Sequence, residues 1–177
     1  KAVNWADTDN LFVQPKFDGH RSLTVRTATG IEIYSKRGVL ITSCDHLYPT
    51  LMQVLQPGEV LDGELYAHGL SVTTIGGLIR KKQQGTEKLV IMAYDMQSTE
   101  PFRNRVARLA AITNAPGNTN HQVLMARTHR ITSVEDMLKF QALCLEHGYE
   151  GAMLRHGESG YDAGERSSSI LKVKTFH

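Results

Sequence analysis

Residues 15–23 read PKFDGHRSL. An apolar run, LFVQPKF (11–17), leads into this stretch and a β-branched run, SLTVRT (22–27), leads out of it, so a lysine, an aspartate and a glycine stand where two strands meet. Lys16 then has two readings. It is a solvated strand-end lysine with Asp18 and Gly19 making the turn, or it is a nucleophile. A nucleophilic lysine must shed its proton, which needs partial burial or cationic neighbours, and Arg21, Lys172 and Lys174 are candidates for that. Taken alone, the stretch favours the solvated lysine.

Working outward, ATG (28–30) is a turn signal before IEIYS (31–35), which makes 17–35 a hairpin. Further strand patterns follow at EVLDGELYA (59–67), KLVIMAYDM (88–96), GAMLRH (151–156) and ILKVKTF (170–176). Helical spacing is clearest over 133–147, where Thr132 and Glu135 suggest a capping box, Val134, Met137, Leu138, Ala142 and Leu145 repeat along one face, and Gly148 suits the C-cap. A second helix is predicted over 102–113, with Phe102, Val106, Leu109 and Ala110 on one face, and two weaker ones over 45–55 and 71–82. Segments 114–121 and 157–169 are polar and rich in Gly, Asn and Ser, and read as loops. Strands outnumber helices and hairpins recur, so the class is α+β, with mainly antiparallel sheets flanked by helices.

A chain of 177 residues, 41% hydrophobic and 21% charged, can bury one compact core or two small ones. The net charge of +2 is too small to argue for nucleic acid without local clustering. Cys44 and Cys144 lie far apart with no paired spacing, which points to reduced thiols rather than a disulfide framework. No apolar run approaches a membrane span and no signal-peptide pattern opens the chain, so a cytoplasmic location and no membrane partner are expected. The sequence starts at Lys1 and stops in the strand-like LKVKTFH, and is expected to be a piece of a longer protein.

Several other positions carry chemistry. Asp62 and Glu64 are two apart in a strand pattern and therefore share a face; among Val60, Leu61, Leu65 and Tyr66 they need hydroxyls, cations or a metal, unless the strand is a solvated edge. Tyr94, beside Asp95 at the end of an apolar strand, is a core aromatic or a platform for a base. Glu150 precedes a strand, with Gly151 allowing close approach, and is a metal ligand or a solvated loop end. Lys172 and Lys174 share a strand face, either as a phosphate-binding pair or as an ordinary polar face. Each feature alone favours the plainer reading. Together they make the inventory of nucleotidyl transfer: nucleophile, metal ligands, base platform and phosphate clamp.

In order and approximate spacing, KFDGHR, SKRG, DGELYAHG, IMAYDM, EGAMLR and LKVK resemble the motifs of covalent nucleotidyltransferases. The chain is most similar to the adenylation domain of ATP-dependent DNA ligases, an ATP-grasp-like fold, over about Gln14 to Lys174. Arg21, two residues after the glycine, fits the DNA ligase form, and GGLIRKK (76–82) resembles short phage-type and bacterial accessory ligases.

The resemblance implies that Lys16 attacks the α-phosphate of ATP, forming a lysyl-AMP that is passed to the 5′-phosphate of nicked double-stranded DNA before the 3′-hydroxyl displaces it. It implies that Gln14 reads adenine, Phe17 lies against the nucleotide, Tyr94 stacks on the base, and Arg21 and Glu64 meet the ribose region. Glu150, with Glu64, would hold Mg²⁺, and Lys172 and Lys174 would grip the α-phosphate. Asp18 and Asp62 would support the site, while Arg105, Arg155 and Arg166 are further candidates for substrate contact. Two residues depart from the family pattern. SKRG puts Lys36 before Arg37 where an arginine usually follows the serine, and Arg155 stands where lysine is commoner, keeping charge but not geometry. The family continues past LKVK into an OB-fold domain, which the resemblance leads one to expect in the full-length protein and not within these 177 residues. A bacterial or phage-infected cell, a monomer, and poor nick sealing by these residues alone are therefore expected. The alternatives are an RNA ligase or capping-type nucleotidyltransferase, a non-catalytic nucleotide or DNA-end binding module, and an α+β domain with coincidental motifs.

Overall fold

A computed structural model describes residues 11–157, 160–161 and 170–172. These residues form ten strands and four α-helices. They fall into two compact units: one within Lys1–Phe17, Ser98–Arg103 and Ala126–His177, the other within Asp18–Gln97 and Asn104–Met125.

The first unit is built on a four-stranded antiparallel sheet. Its strands are β1 (Leu11–Lys16), β8 (His129–Arg130), β9 (Gly151–His156) and β10 (Ile170–Lys172), ordered β10-β9-β1-β8. Leu11 and Val13 of β1 pack with Ile131, Cys144, Ala152 and Leu154. Pro15 is tolerated in this inner strand because β8 pairs only with Phe12 and Val13, so the missing N–H interrupts no ladder there.

Helix α4 (Val134–Glu146) covers the sheet. Its true cap is Ser133, whose Oγ accepts from the Asp136 N–H at 3.1 Å, while the Asp136 carboxylate accepts from the Thr132 hydroxyl and amide. The expected Thr132–Glu135 box is thus displaced by one residue, because Ser133 is the residue whose backbone is still extended. The buried face also differs from expectation. Met137, Phe140, Gln141 and Cys144 turn inward, whereas Val134, Leu138 and Leu145 are 45%, 42% and 50% exposed. Gly148 ends the helix as predicted. Its φ is +84°, its N–H reaches Leu145 O and the Tyr149 N–H reaches Cys144 O, the two hydrogen bonds of a Schellman cap.

The second unit holds a six-stranded sheet ordered β4-β3-β2-β5-β6-β7. Here β2 (His20–Arg26) and β3 (Ile31–Ser35) form the predicted hairpin, closed by Thr27 and Gly30. β5 (Val60–Tyr66) pairs with β2, and β6 (Val90–Met96) pairs with β5. The short strands β4 (Leu40–Ile41) and β7 (Val123–Met125) add the edges, β7 parallel to β6 and all other pairs antiparallel. Helices α1 (Tyr48–Val54), α2 (Val72–Arg80) and most of α3 (Phe102–Thr113) belong to this unit. Ser71 caps α2 by accepting from Thr74 N. No helix among the described residues is long and apolar enough to cross a membrane.

Candidate active site

In the first unit the strand pairing sets the register Lys16↔Gly151, Pro15↔Ala152, Gln14↔Met153. Lys16 is therefore opposite the start of β9, and Glu150 comes one residue earlier. The Glu150 N–H donates to Lys16 O at 3.0 Å, and the two side chains meet with Nζ 2.7 Å from Oε2. Both are about one-third exposed, at 31% and 38%, so the pair is open to a ligand but partly shielded from water. Gln14 lies two residues before Lys16 on the same face, buried, and donates through Nε2 to the Thr128 hydroxyl at 3.0 Å. Phe17 is buried edge-on against Tyr149 at 5.4 Å between centroids.

Arg155, the fifth residue of β9, is buried with its guanidinium 4.7 Å from the Phe102 ring centroid. On backbone register Lys172 pairs with Met153, the residue that also pairs with Gln14. Lys174 and Arg166 lie outside the described residues.

In the second unit Arg21 is paired in register with Glu64 and reaches diagonally to Asp62, with Nε 3.0 Å and Nη2 2.7 Å from the two carboxylate oxygens. The expected common face of Asp62 and Glu64 follows from this fork: one arginine lies against both positions. The Tyr94 hydroxyl donates to Glu64 Oε1 at 3.4 Å, so Arg21, Asp62, Glu64 and Tyr94 form one polar cluster. Asp18 is half-buried at the start of this unit.

Two backbone features shape the cluster, and neither is visible in the sequence. Across β5 and β6 the register slips, with Asp62 facing Asp95 but Gly63 facing Ala93, which leaves Tyr94 as the extra residue of a β-bulge. A bulge re-aims its side chain. Tyr94 is accordingly half-buried rather than part of the core, and a Cβ on Gly63 would meet Met92 O at 2.4 Å. Gly19, expected to make the turn, does not have a positive φ; its hydrogen faces β5, where a Cβ would stand 2.6 Å from Leu65 O and 3.2 Å from Glu64 Oε2. The glycine is needed for close approach.

Asp95 and Asp62 stand opposite each other, a costly arrangement for like charges, and each has its own arginine. Arg105 grips Asp95 with Nε at 2.7 Å and Nη2 at 3.2 Å, and its side chain is 1% exposed. In this position it holds β6 and offers no face to a substrate. Lys36 and Arg37 are exposed in the turn between β3 and β4, where Gly38 takes φ +78°.

Two residues beside the Lys16–Glu150 pair carry no sequence signal: Gln141, whose Oε1 accepts from the Ala152 N–H, and Tyr149, whose ring meets Phe17. A buried helix face was predicted, but a glutamine on it reads as a surface residue.

The sequence matches the ATP-dependent DNA ligase domain over residues 1–174, and the chain belongs to that family. It is 28% identical over 181 residues to a DNA ligase of African swine fever virus, and 27% identical to that of a second isolate, covering 95% of this chain and 42% of each relative. The chain thus spans less than half the length of those viral relatives. Among solved structures the fold resembles a Lig E DNA ligase (TM-score 0.78, 23% identity, 99% of this chain and 64% of that one). It also resembles a Chlorella virus DNA ligase-adenylate (0.76, 21%, 100% and 67%) and the ATP-dependent DNA ligase of bacteriophage T7 in complex with ATP (0.74, 18%, 95% and 63%).

Proposed function

We propose that this chain is the adenylating part of an ATP-dependent DNA ligase, with Lys16 as the nucleophile. The observation that carries the reading is the Lys16 Nζ to Glu150 Oε2 contact of 2.7 Å on adjoining segments of β1 and β9. An ammonium has no lone pair to give. Glu150 is in reach to take one proton, after which Nζ attacks the α-phosphorus of ATP, an N–P bond forms, the P–O bond to pyrophosphate breaks, and the second proton leaves Nζ for the departing pyrophosphate or water. In the next step an oxygen of a DNA 5′-phosphate attacks the same phosphorus and returns the lysine. The 3′-hydroxyl of the nick then displaces AMP.

The other assignments follow the chemistry of each side chain. Tyr94, turned out by its bulge and tethered to Glu64, offers a face for adenine, and Gln14 and Phe17 lie next to the nucleophile on the chain. Arg21 and Glu64, with Asp62 fixing the arginine fork and Asp18 beside them in sequence, take the ribose. Lys172 and Lys174 are assigned to the α-phosphate, and Lys36 or Arg37, exposed on a turn, to a phosphate of the substrate.

Mg²⁺ fits this donor set as a substrate-borne ion. No group of three or more His, Cys, Asp or Glu side chains suited to a metal occurs among the described residues, but Mg²⁺ is commonly held by as few as one carboxylate plus phosphate oxygens and water, and Glu150 in the first unit and Glu64 in the second are each assigned as a candidate for that carboxylate. When bound, it neutralises phosphate charge.

The test is intact-mass measurement after incubation with ATP and Mg²⁺. One added AMP is expected, with none in Lys16→Ala. A wild-type protein that never gains AMP sinks the reading. GTP in place of ATP, and nicked RNA in place of nicked DNA, separate it from the capping and RNA-joining alternatives.

A further inference from the structure

We infer that Gln141 is the positioning residue for the Lys16–Glu150 pair, an inference that rests on the reading of Lys16 as nucleophile. Gln141 is 6% exposed on the inner face of α4, among Met137, Phe140 and Cys144. An amide buried among apolar neighbours is costly unless it is hydrogen-bonded, and this one has a specific task. Its Oε1 accepts from the Ala152 N–H at 2.6 Å.

That bond falls at a particular place. The chain leaves α4 through the Schellman cap, where Tyr149 N reaches Cys144 O at 2.9 Å, and joins β9 at Gly151. Glu150 is therefore suspended between two clamps to the same helix, the cap at Tyr149 and the Gln141 amide at Ala152.

Between them Gly151 adopts φ +130°, and the Gln141 amide fills the space where a Cβ would go, with Oε1 at 2.9 Å and Nε2 at 3.2 Å from that point. The backbone direction at Glu150 is thus fixed from the helix side by Gln141 and from the strand side by the Glu150 N–H to Lys16 O bond. Without the amide clamp, Gly151 is free to relax and the carboxylate loses its set position against Nζ. Gln141 acts on the backbone, through its bond to the Ala152 N–H. It acts through Glu150.

The experiment uses the full chain and compares wild type, Gln141→Met, Gln141→Glu, Glu150→Gln and the Gln141→Met/Glu150→Gln double variant. Methionine keeps the volume and removes the acceptor; glutamate keeps the acceptor. At saturating ATP the single-turnover rate of lysyl-AMP formation should fall about tenfold to a hundredfold in Gln141→Met, the size of effect a misplacement near 1 Å produces, with the KM for ATP changed less than about threefold. Gln141→Glu should restore the rate to within about threefold of wild type. In the Glu150→Gln background Gln141→Met should add nothing, since its effect runs through that carboxylate.

A second readout needs no ligase activity: the rate at which an amine-acylating reagent modifies Lys16, followed by peptide mapping across pH. Gln141→Met should shift that profile in the same direction as Glu150→Gln. If the methionine variant does not fold, Gln141→Asn, one methylene short of Ala152, takes its place in every comparison.

A folded Gln141→Met variant, or Gln141→Asn where it stands in, with wild-type rate and wild-type Lys16 modification overturns the inference. So does an equal rate loss in the presence and absence of the Glu150 carboxylate. If wild type fails to gain AMP while Gln141→Met still shifts the modification profile, the positioning role stands and the ligase reading alone falls.

Discussion

Gly19 and Gly63 leave room for backbone where a methyl group would collide with a carbonyl oxygen, at 2.6 Å and 2.4 Å. Because the obstacle at Gly63 is main chain inside a bulge, it cannot swing aside, and Gly63→Ala should destabilise the protein by about 1–3 kcal/mol, the usual range for overpacking, seen as a lower urea midpoint at unchanged m-value. Arg105 is a sharper case. Truncating it to methionine leaves Asp95 buried without its fork, opposite Asp62, so a loss of about 3–5 kcal/mol is expected, read from the same denaturant curves. Replacing Arg105 and Asp95 together by apolar residues should recover much of that loss. At this scale the sequence singles out side chains able to carry chemistry, Lys16, Glu64 and Glu150 among them. It does not show what holds them. Gly19 passes for a turn residue, Tyr94 for a core residue and Arg105 for a ligand contact, because close approach, a register slip and a buried partner are properties of two chain segments and leave no mark on either one alone.

Helices and strands with enough residues to display a period were legible: the predicted helix over 102–113 is observed over Phe102–Thr113, and the one over 133–147 over Val134–Glu146. Strands β4, β7 and β8 have two or three residues each, too few to alternate, and exist because a neighbouring edge supplies their hydrogen bonds. For α4 the period was right and the phase was wrong. Apolar residues occur on more than one side of it, so only the sheet decides that Met137, Phe140, Gln141 and Cys144 face inward. Its N-terminus carries a pH-dependent contribution. The Thr132 hydroxyl, followed by its amide, holds the Asp136 carboxyl below the ordinary aspartate range. A carboxyl lowered in the folded state contributes fully above its unfolded value and loses that contribution as pH falls through the folded one. Asp136→Ala should therefore be less stable than wild type at neutral pH, and the gap between their denaturation midpoints should close as pH falls through and below the ordinary aspartate range.

Taken whole, the described chain consists of two units with separate sheets, and the boundary between them cuts the KFDGHR motif between Phe17 and Asp18. That division could not be read from composition, since no linker-like stretch marks it; the chain crosses between the units at Phe17, Gln97, Arg103 and Met125 inside otherwise ordinary sequence. Each unit buries one of the two cysteines, Cys144 in the first and Cys44 in the second. Burial raises both thiols, Cys144 to about 11, so neither should react with iodoacetamide in the native protein at neutral pH. Alkylation at Cys44 and Cys144 should appear only with denaturant, and prompt labelling of either thiol in buffer would contradict its placement. The natural sequence thus comes with one chemical reporter in each half, with no engineered label needed. Two peptide peaks in a mass spectrum, followed across a denaturant series, would say whether the lysine-bearing half and the tyrosine-bearing half melt as one body or as two.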